Sequence, residues 1–245
     1  MLLERAEAAG ARFRHGVAVT GIDVRGGAVR AVRAGDEVLP ADDVVVAAGI
    51  WGPEVAALAG VELPLVPVAH PYVHGPRHAR AARSPDGPSP FVRWPEHHVY
   101  ARDHGDRLGL GTYDHAPLPV PRPGADAERP WPVELFDPAV DRALTLLPAG
   151  RRFVPEQRLN GVFSMTPDNL PLLGAVPGVA GLWVAEALWV THAAGAARAL
   201  ARSMAGAEPD VAGIDALRPD RFAGRPAAEL VERSLRLYRD IYASA

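Results

Sequence analysis

The run Val44-Val45-Val46-Ala47-Ala48 places the strongest constraint on how this chain can fold. Asp42-Asp43 lead into it, and Gly49-Ile50-Trp51-Gly52-Pro53 turn the chain away from it. A short, continuous apolar run bounded in this way suits a central parallel strand buried on both faces. Pro53 then fits the first position of a helix over Glu54–Ala59. Apolar runs of this length fall far short of the roughly 20 residues that cross a bilayer, so no transmembrane helix is expected.

Shorter elements surround it. Met1–Ala9 reads as the end of a helix closed by Gly10. Val17–Arg25 and Ala28–Arg33 alternate as two strands joined at Gly26-Gly27, a tight-hairpin signal. Leu65–His74 reads as a strand in which Pro67 and Pro71 call for an edge position or a bend. A loop over Gly75–Pro90 leads to short strands at Phe91–Trp94, Val99–Asp103 and Leu108–Thr112, the last two joined around His104-Gly105-Asp106. Pro117–Pro132 is irregular, and Asp137-Pro138 read as the N-cap and first residue of a helix reaching Leu147. Gly161–Met165 and Leu182–Ala187 are expected strands, with Pro167-Asp168-Asn169 turning between them. Thr191 fits as the cap of an Ala-rich helix through Met204. Ala227–Tyr242 is an amphipathic helix with apolar Leu230, Val231, Leu235, Leu237 and Ile241. One parallel-type strand, several hairpins and late helices indicate an α/β (mixed α+β) fold.

Composition excludes several chemistries. The chain has no cysteine, which removes disulfides, iron–sulfur clusters, thiolate zinc sites and cysteine nucleophiles. All 26 basic residues are arginine, so lysine Schiff bases and P-loop phosphate binding are out. A net charge of −3 supplies no attraction for nucleic acid or anionic lipid. The first residues, MLLERAEAAG, are charged and helix-like with no apolar signal region, and a cytoplasmic location is the expectation.

Among candidate sites, His70, His74 and His78 are spaced for one helix face, but Pro71 and Pro76 break any such helix, and no metal centre is expected. Ser164 lies in a predicted strand with no G-x-S-x-G around it. Gly109-Leu110-Gly111 lacks the third glycine and following helix of a dinucleotide fingerprint, and reads as strand glycines beside a close neighbour. His70 and Tyr100 each sit in an apolar strand, where a core or rim role competes with a functional one. The stretch WVAEALWVTHAAG (Trp183–Gly195) runs from a buried strand into a helix whose first turn holds only small residues beside Thr191 and His192. Tight packing explains those small residues; so does room for a flat ligand at a helix N-terminus, where the free N–H groups favour negative charge.

GVFSMTPDNLPLLG (Gly161–Gly174) followed by GLWVAEALWVTHAAGAARALA (Gly181–Ala201) resembles the C-terminal part of the FAD-dependent amine oxidoreductases of the D-amino-acid-oxidase superfamily, in particular the dimethylglycine and sarcosine oxidase/dehydrogenase flavoproteins. DDVVVAAGIWG (Asp42–Gly52) is similar to that family's strand beneath the FAD. LPLVPVAHPYV (Leu63–Val73) and VYARDHGDRLGLGTY (Val99–Tyr113) are similar to its substrate domain. The resemblance implies an active-site histidine at His70 and an active-site tyrosine at Tyr100, which also borders the cofactor. It implies an adenine contact at Val19, a backbone contact at Gly49, and an isoalloxazine contact at Leu188, Trp189, Val190 and Thr191.

By the same resemblance, residues 1–62 are the remainder of an FAD-binding domain, 63–155 a substrate-binding domain with a mixed, largely antiparallel sheet, 156–210 a return to the FAD-binding domain, and 211–245 a helical tail. The family's N-terminal Rossmann unit with its glycine fingerprint has no counterpart in these 245 residues. A fragment or split subunit is therefore expected, with a separate N-terminal FAD-binding piece and a small-molecule amine as partners. The implied activity is oxidation of a secondary or tertiary, N-methylglycine-like amine. A non-catalytic small-molecule binding subunit or a truncated product of the same fold are the alternatives.

Overall fold

A computed structural model describes residues 2–78, 91–120, 124, 129–208 and 211–243. The chain opens with helix α1 (Leu2–Ala8), after which Gly10 adopts a left-handed φ of +95°. Strands β1 (Val19–Arg25), β2 (Ala28–Ala34) and β3 (Glu37–Pro40) form an antiparallel meander. Gly26 and Gly27, at φ +59° and +72°, make its first turn as the sequence indicates. Strand β4 (Val44–Val46) follows, then helix α2 (Gly52–Ala57) with Pro53 in its first turn.

The next strands build the largest sheet. They are β5 (Val66–His74), β6 (Phe91–Trp94), β7 (Val99–Asp103), β8 (Leu108–Thr112) and the short β9 (Leu118–Pro119). Helix α3 (Val133–Leu144) and strand β10 (Gln157–Met165) complete this part. The sheet order is β10-β5-β8-β7-β6, all antiparallel, with β9 also pairing β5. Strand β10 pairs β5 from Gln157↔His74 to Met165↔Val66, so the sheet runs on past residue 156 and the chain leaves it after Met165. Strands β11 (Leu172–Ala175) and β12 (Leu182–Glu186) then return to β4 in a third sheet, order β11-β12-β4, with β12 and β4 parallel. The strand expected at Val44 is present and pairs in parallel, but it is shorter than expected, stands last in its sheet and leaves Val45 39% exposed instead of being central and buried on both faces; β3, β9 and β11 have no counterpart among the expected strands. Helices α4 (Ala193–Met204) and α5 (Ala227–Arg239) end the chain.

Three further expectations are corrected. Strand β5 is interior, between β10 and β8/β9, and its prolines are tolerated for a positional reason. The carbonyl of Pro67 accepts from Val120 on the β9 side, so in an antiparallel ladder Pro67 and Pro71 both face that side. There β9 pairs only residues 68–69 and β8 only 72–74, and Pro71 falls in the gap. Helix α3 starts at Val133, and Pro138 lies inside it. The buried stripe Phe136, Ala139, Val140, Ala143, Leu144 explains the earlier start, while the Asp137 carboxylate accepts from the Trp131 indole at 2.8 Å and does not cap the helix. Thr191 likewise does not cap α4: residues Val190–His192 form a 3₁₀ turn, and His192 is the N-cap without a side-chain bond.

The large sheet has two different faces. On one, Val73, Val99 and Leu110 pack against Val140, Ala143, Leu144 and Leu147 on and after α3. On the other, β8 presents Gly109 and Gly111, where a Cβ would fall among the atoms of Tyr72 and Tyr100 respectively. The glycines thus open a lane across which side chains of β5 and β7 meet, as the sequence reading of Gly109-Leu110-Gly111 anticipated. Gly111→Ala is expected to destabilise the protein by about 1–3 kcal/mol through overpacking against Tyr100, read as a lowered urea midpoint with an unchanged slope.

Candidate functional site

Alternation along β5 sends His70, Tyr72 and His74 to the glycine-lane face of the sheet. Tyr100 on β7 pairs with Gly111 from the other side. Across that lane the Tyr100 hydroxyl lies 2.9 Å from His70 Nε2. His70 is 4% exposed and is stacked on by Phe163 and flanked by Tyr113, each with ring centroids 4.5 Å away. Its Nδ1 lies 2.7 Å from the hydroxyl of Tyr238, on α5. That hydroxyl is also 3.0 Å from the carbonyl of Ala69 and 3.0 Å from Nε2 of His115.

Burial sets the protonation states. It lowers the His70 pKa to about 3, helped by the neighbouring His115, so the imidazole is neutral at neutral pH. Burial, with Tyr113, Tyr72 and Tyr242 nearby, holds Tyr100 above the ordinary tyrosine range, so its hydroxyl keeps its proton. The pair is therefore two neutral hydrogen-bonding groups, not an ion pair.

The second group of expected site residues lies at the ends of parallel strands. Leu182↔Val44 and Val184↔Val46 are in register, so the turns after β4 and β12 leave the sheet side by side. Ligands in α/β sheets bind outside such carboxyl ends. Gly49, at φ +58°, has open space where a Cβ would stand. Leu188–Thr191 form the other turn, in which Val190 is 93% exposed, and Ala193, Ala194 and Gly195 continue that exposed surface into the uncapped start of α4. The His192 and Ala193 amides are taken by the Trp189 and Val190 carbonyls, so what this small, open surface offers one side of a flat, anionic group is its shape and the positive end of α4. Val19 stands apart, at the exposed start of β1 in a different sheet.

Trp189 links the two groups. Its ring lies 6.1 Å from that of Phe163, which stacks on His70. The structure thus brings Gly49, Leu188–Thr191, His70 and Tyr100 into one connected region.

Three residues here escaped the sequence reading. Tyr238 and His115 hold His70 from behind. The third is Glu186, the one charged residue in the apolar stretch LWVAEALWV and visible as such in the sequence. It is 1% exposed, and its Oε1 accepts from the Ala48 amide at 2.6 Å, tying the two turns together. Gly52 is a glycine because a Cβ there would come within 2.6 Å of the Glu186 carboxyl carbon. Ala187 next to it is held at φ +56°, a left-handed conformation costing roughly 1 kcal/mol.

Burial raises the Glu186 pKa to about 7 against the opposing bonds from Ala48 and Gly49, and Oε2 has no partner. Between pH 4.5 and 7 the unfolded chain releases this proton while the folded chain keeps it, so stability falls as pH rises. Glu186→Gln is expected to gain roughly 2–3 kcal/mol over the parent in urea unfolding at pH 8 and nothing at pH 4.5. An equal gain at both pH values would show that folding does not raise the pKa of this carboxyl.

Comparison with known proteins places this geometry in context. A family model described as FAD dependent oxidoreductase (DAO) matches residues 1–203. Human mitochondrial dimethylglycine dehydrogenase is 28% identical over 239 residues, 93% of this chain and 27% of that protein. A D-amino acid dehydrogenase of Cereibacter sphaeroides is 32% identical over 238 residues, 92% of this chain and 50% of that one. The crystal structure of L-proline dehydrogenase from P. horikoshii superposes with a TM-score of 0.74 at 18% identity, covering 89% of this chain and 57% of that chain. This chain therefore spans between about a quarter and a little over half the length of these relatives.

Proposed function

Because the chain belongs to the DAO family of FAD-dependent oxidoreductases, we propose that it forms the flavin-facing and substrate-facing part of an amine oxidoreductase acting on a secondary or tertiary, N-methylglycine-like amine. The observation that carries this reading is the contact chain from Trp189 through Phe163 to His70 and Tyr100, which puts a neutral hydrogen-bonding pair beside the open turn surface. Similarity to dimethylglycine and sarcosine dehydrogenases supports the substrate class. In this reading Gly49 and Leu188–Thr191 hold one side of the FAD, Val19 reaches its adenine end, and a separate N-terminal piece completes the site. Bound FAD supplies the acceptor for the electron pair removed from the amine's α-carbon.

The chain's own residues do the rest. Tyr100 donates its proton to His70 Nε2 and keeps its oxygen lone pairs for an N–H of the substrate, orienting the amine. His70 fixes the Tyr100 hydroxyl and, being neutral, adds no charge that would oppose a protonated amine's entry. Arg93, directly opposite Tyr100, and Arg102, two residues along β7, lie on the Tyr100 face of the sheet. They rest over the rings of Tyr242 and Phe91 and form no ion pair among the described residues, which leaves them free for a substrate carboxylate.

FAD added to the purified chain, alone or with the N-terminal piece, is expected to bind and to bleach anaerobically on addition of sarcosine or dimethylglycine. His70→Ala and Tyr100→Phe should slow the bleaching on the order of 10²-fold. A chain that binds such amines yet never retains flavin is the non-catalytic binding subunit instead. Separately, Arg93→Gln and Arg102→Gln should raise KM about tenfold for carboxylate-bearing amines and leave it unchanged for their decarboxylated analogues. Equal effects on both substrates would remove the arginines from carboxylate binding.

A further inference from the structure

The Tyr238 hydroxyl has one proton and three close neighbours. The Ala69 carbonyl, 3.0 Å away, can only accept. Nε2 of His115, also at 3.0 Å, belongs to an imidazole whose Nδ1 lies 2.9 Å from the Ala116 carbonyl. A carbonyl only accepts, so His115 carries its proton on Nδ1, and its Nε2 is a bare acceptor. Burial lowers the pKa of this imidazole and keeps it neutral, so no second proton is available. Two of the three neighbours therefore compete for the tyrosine proton, and neither has one to give.

The third neighbour is His70 Nδ1, at 2.7 Å. If it too were an acceptor, three lone pairs would surround a single hydroxyl proton in a site that is 0% exposed at Tyr238 and 4% at His70. A buried acceptor left without a donor forfeits the hydrogen bonds that water gave it. When His70 donates from Nδ1, the tyrosine proton has two acceptors to serve instead of three, and the hydroxyl oxygen gains a donor.

We infer that Tyr238, backed by His115, locks His70 as the Nδ1–H tautomer, so that its bare Nε2 is presented to the Tyr100 hydroxyl. The hydrogen bonds then run from Tyr100 to His70 and from His70 to Tyr238, whose single proton goes to the Ala69 carbonyl or to the bare Nε2 of His115, itself donating to the Ala116 carbonyl. The chain ends on a carbonyl, so it orients and does not carry protons away. Tyr238 and His115 are thus positioning residues, acting through His70. Tyr238 comes from α5, beyond the residues matched by the family model. That the lock serves amine oxidation rests on the proposed function; the lock itself stands on the hydrogen-bond geometry.

The test is the imidazole nitrogen spectrum of the full chain, uniformly labelled with nitrogen-15, without flavin or amine. Wild-type His70 is expected to show a protonated Nδ1 and an unprotonated Nε2, and His115 the same. In Tyr238→Phe the Nδ1 proton loses its acceptor, and the His70 pattern is expected to invert to Nε2–H, now donating to the Tyr100 oxygen. Tyr100→Phe should leave the wild-type pattern in place. The unshifted signals of histidines outside this cluster report that each variant is folded. A wild-type His70 protonated on Nε2 overturns the inference without any variant, and so does a folded Tyr238→Phe with an unchanged His70 pattern. If the tautomer is as stated and no amine reduces the flavin, the functional reading fails and the lock stands.

Discussion

His70 and Tyr100 belong to strands that are not neighbours. Strand β8 runs between them, and with strands about 4.8 Å apart a side chain on β8 would fill the space their hydrogen bond occupies. Gly111 leaves that space empty beside Tyr100 and Gly109 leaves room for Tyr72, so rings from β5 and β7 lean over the intervening backbone and stack, Tyr72 with Tyr100 and Tyr100 with His70. Two glycines in a five-residue strand weaken it. The opposite face compensates, because Leu110 between them is fully buried against α3. The site therefore depends on a strand that is bare on one face and well packed on the other.

A second constraint joins that face to the rest of the molecule. Parallel pairing of β4 and β12 forces the turns after them to emerge together, and the Glu186 carboxylate bonds one turn to the other. A buried carboxyl with one oxygen unpartnered and its pKa raised to about 7 is an expensive tie, and the left-handed Ala187 adds to that expense. Such strain gathers where a backbone must hold a functional shape. Here it holds the turn that carries Trp189 against Phe163.

Helix α5 gives the site its back wall. Leu230, Ser234 and Tyr238 form its buried line, with the Ser234 hydroxyl turned back onto the Leu230 carbonyl so that no polar group is left open. Only the last of the three reaches the His70 cluster. One face of one helix thus serves the core at its start, where Leu230 joins Val46 and Val184, and the imidazole of His70 at its end.

Much of this was readable in the residues. Gly26-Gly27, Gly10 and the Asn169 turn are local conformational demands, and each turned up where the chain announced it. The Val44 run led to the parallel pair, and the resemblance over Asp42–Gly52, Leu63–Val73, Val99–Tyr113 and Gly161–Ala201 pointed to Gly49, His70, Tyr100 and Leu188–Thr191, which the fold brings near one another. The errors were local rules overruled by packing: Pro138 sits inside a helix because Phe136 needs burial, and Pro71 sits in an interior strand because a gap between two partners receives it. Tyr238 was hidden because Ser234 interrupts its apolar line, and His115 because a lone histidine after a strand carries no periodic signal. The sequence alone determined most of the longer strands, the helices and the glycine turns, since periods of 2 and 3.6 and the φ of a glycine act over a few residues. Which strands became neighbours, and hence that residues 70, 100, 115 and 238 would share protons, was decided by the tertiary structure, because only burial across the whole chain can make such distant groups depend on one another.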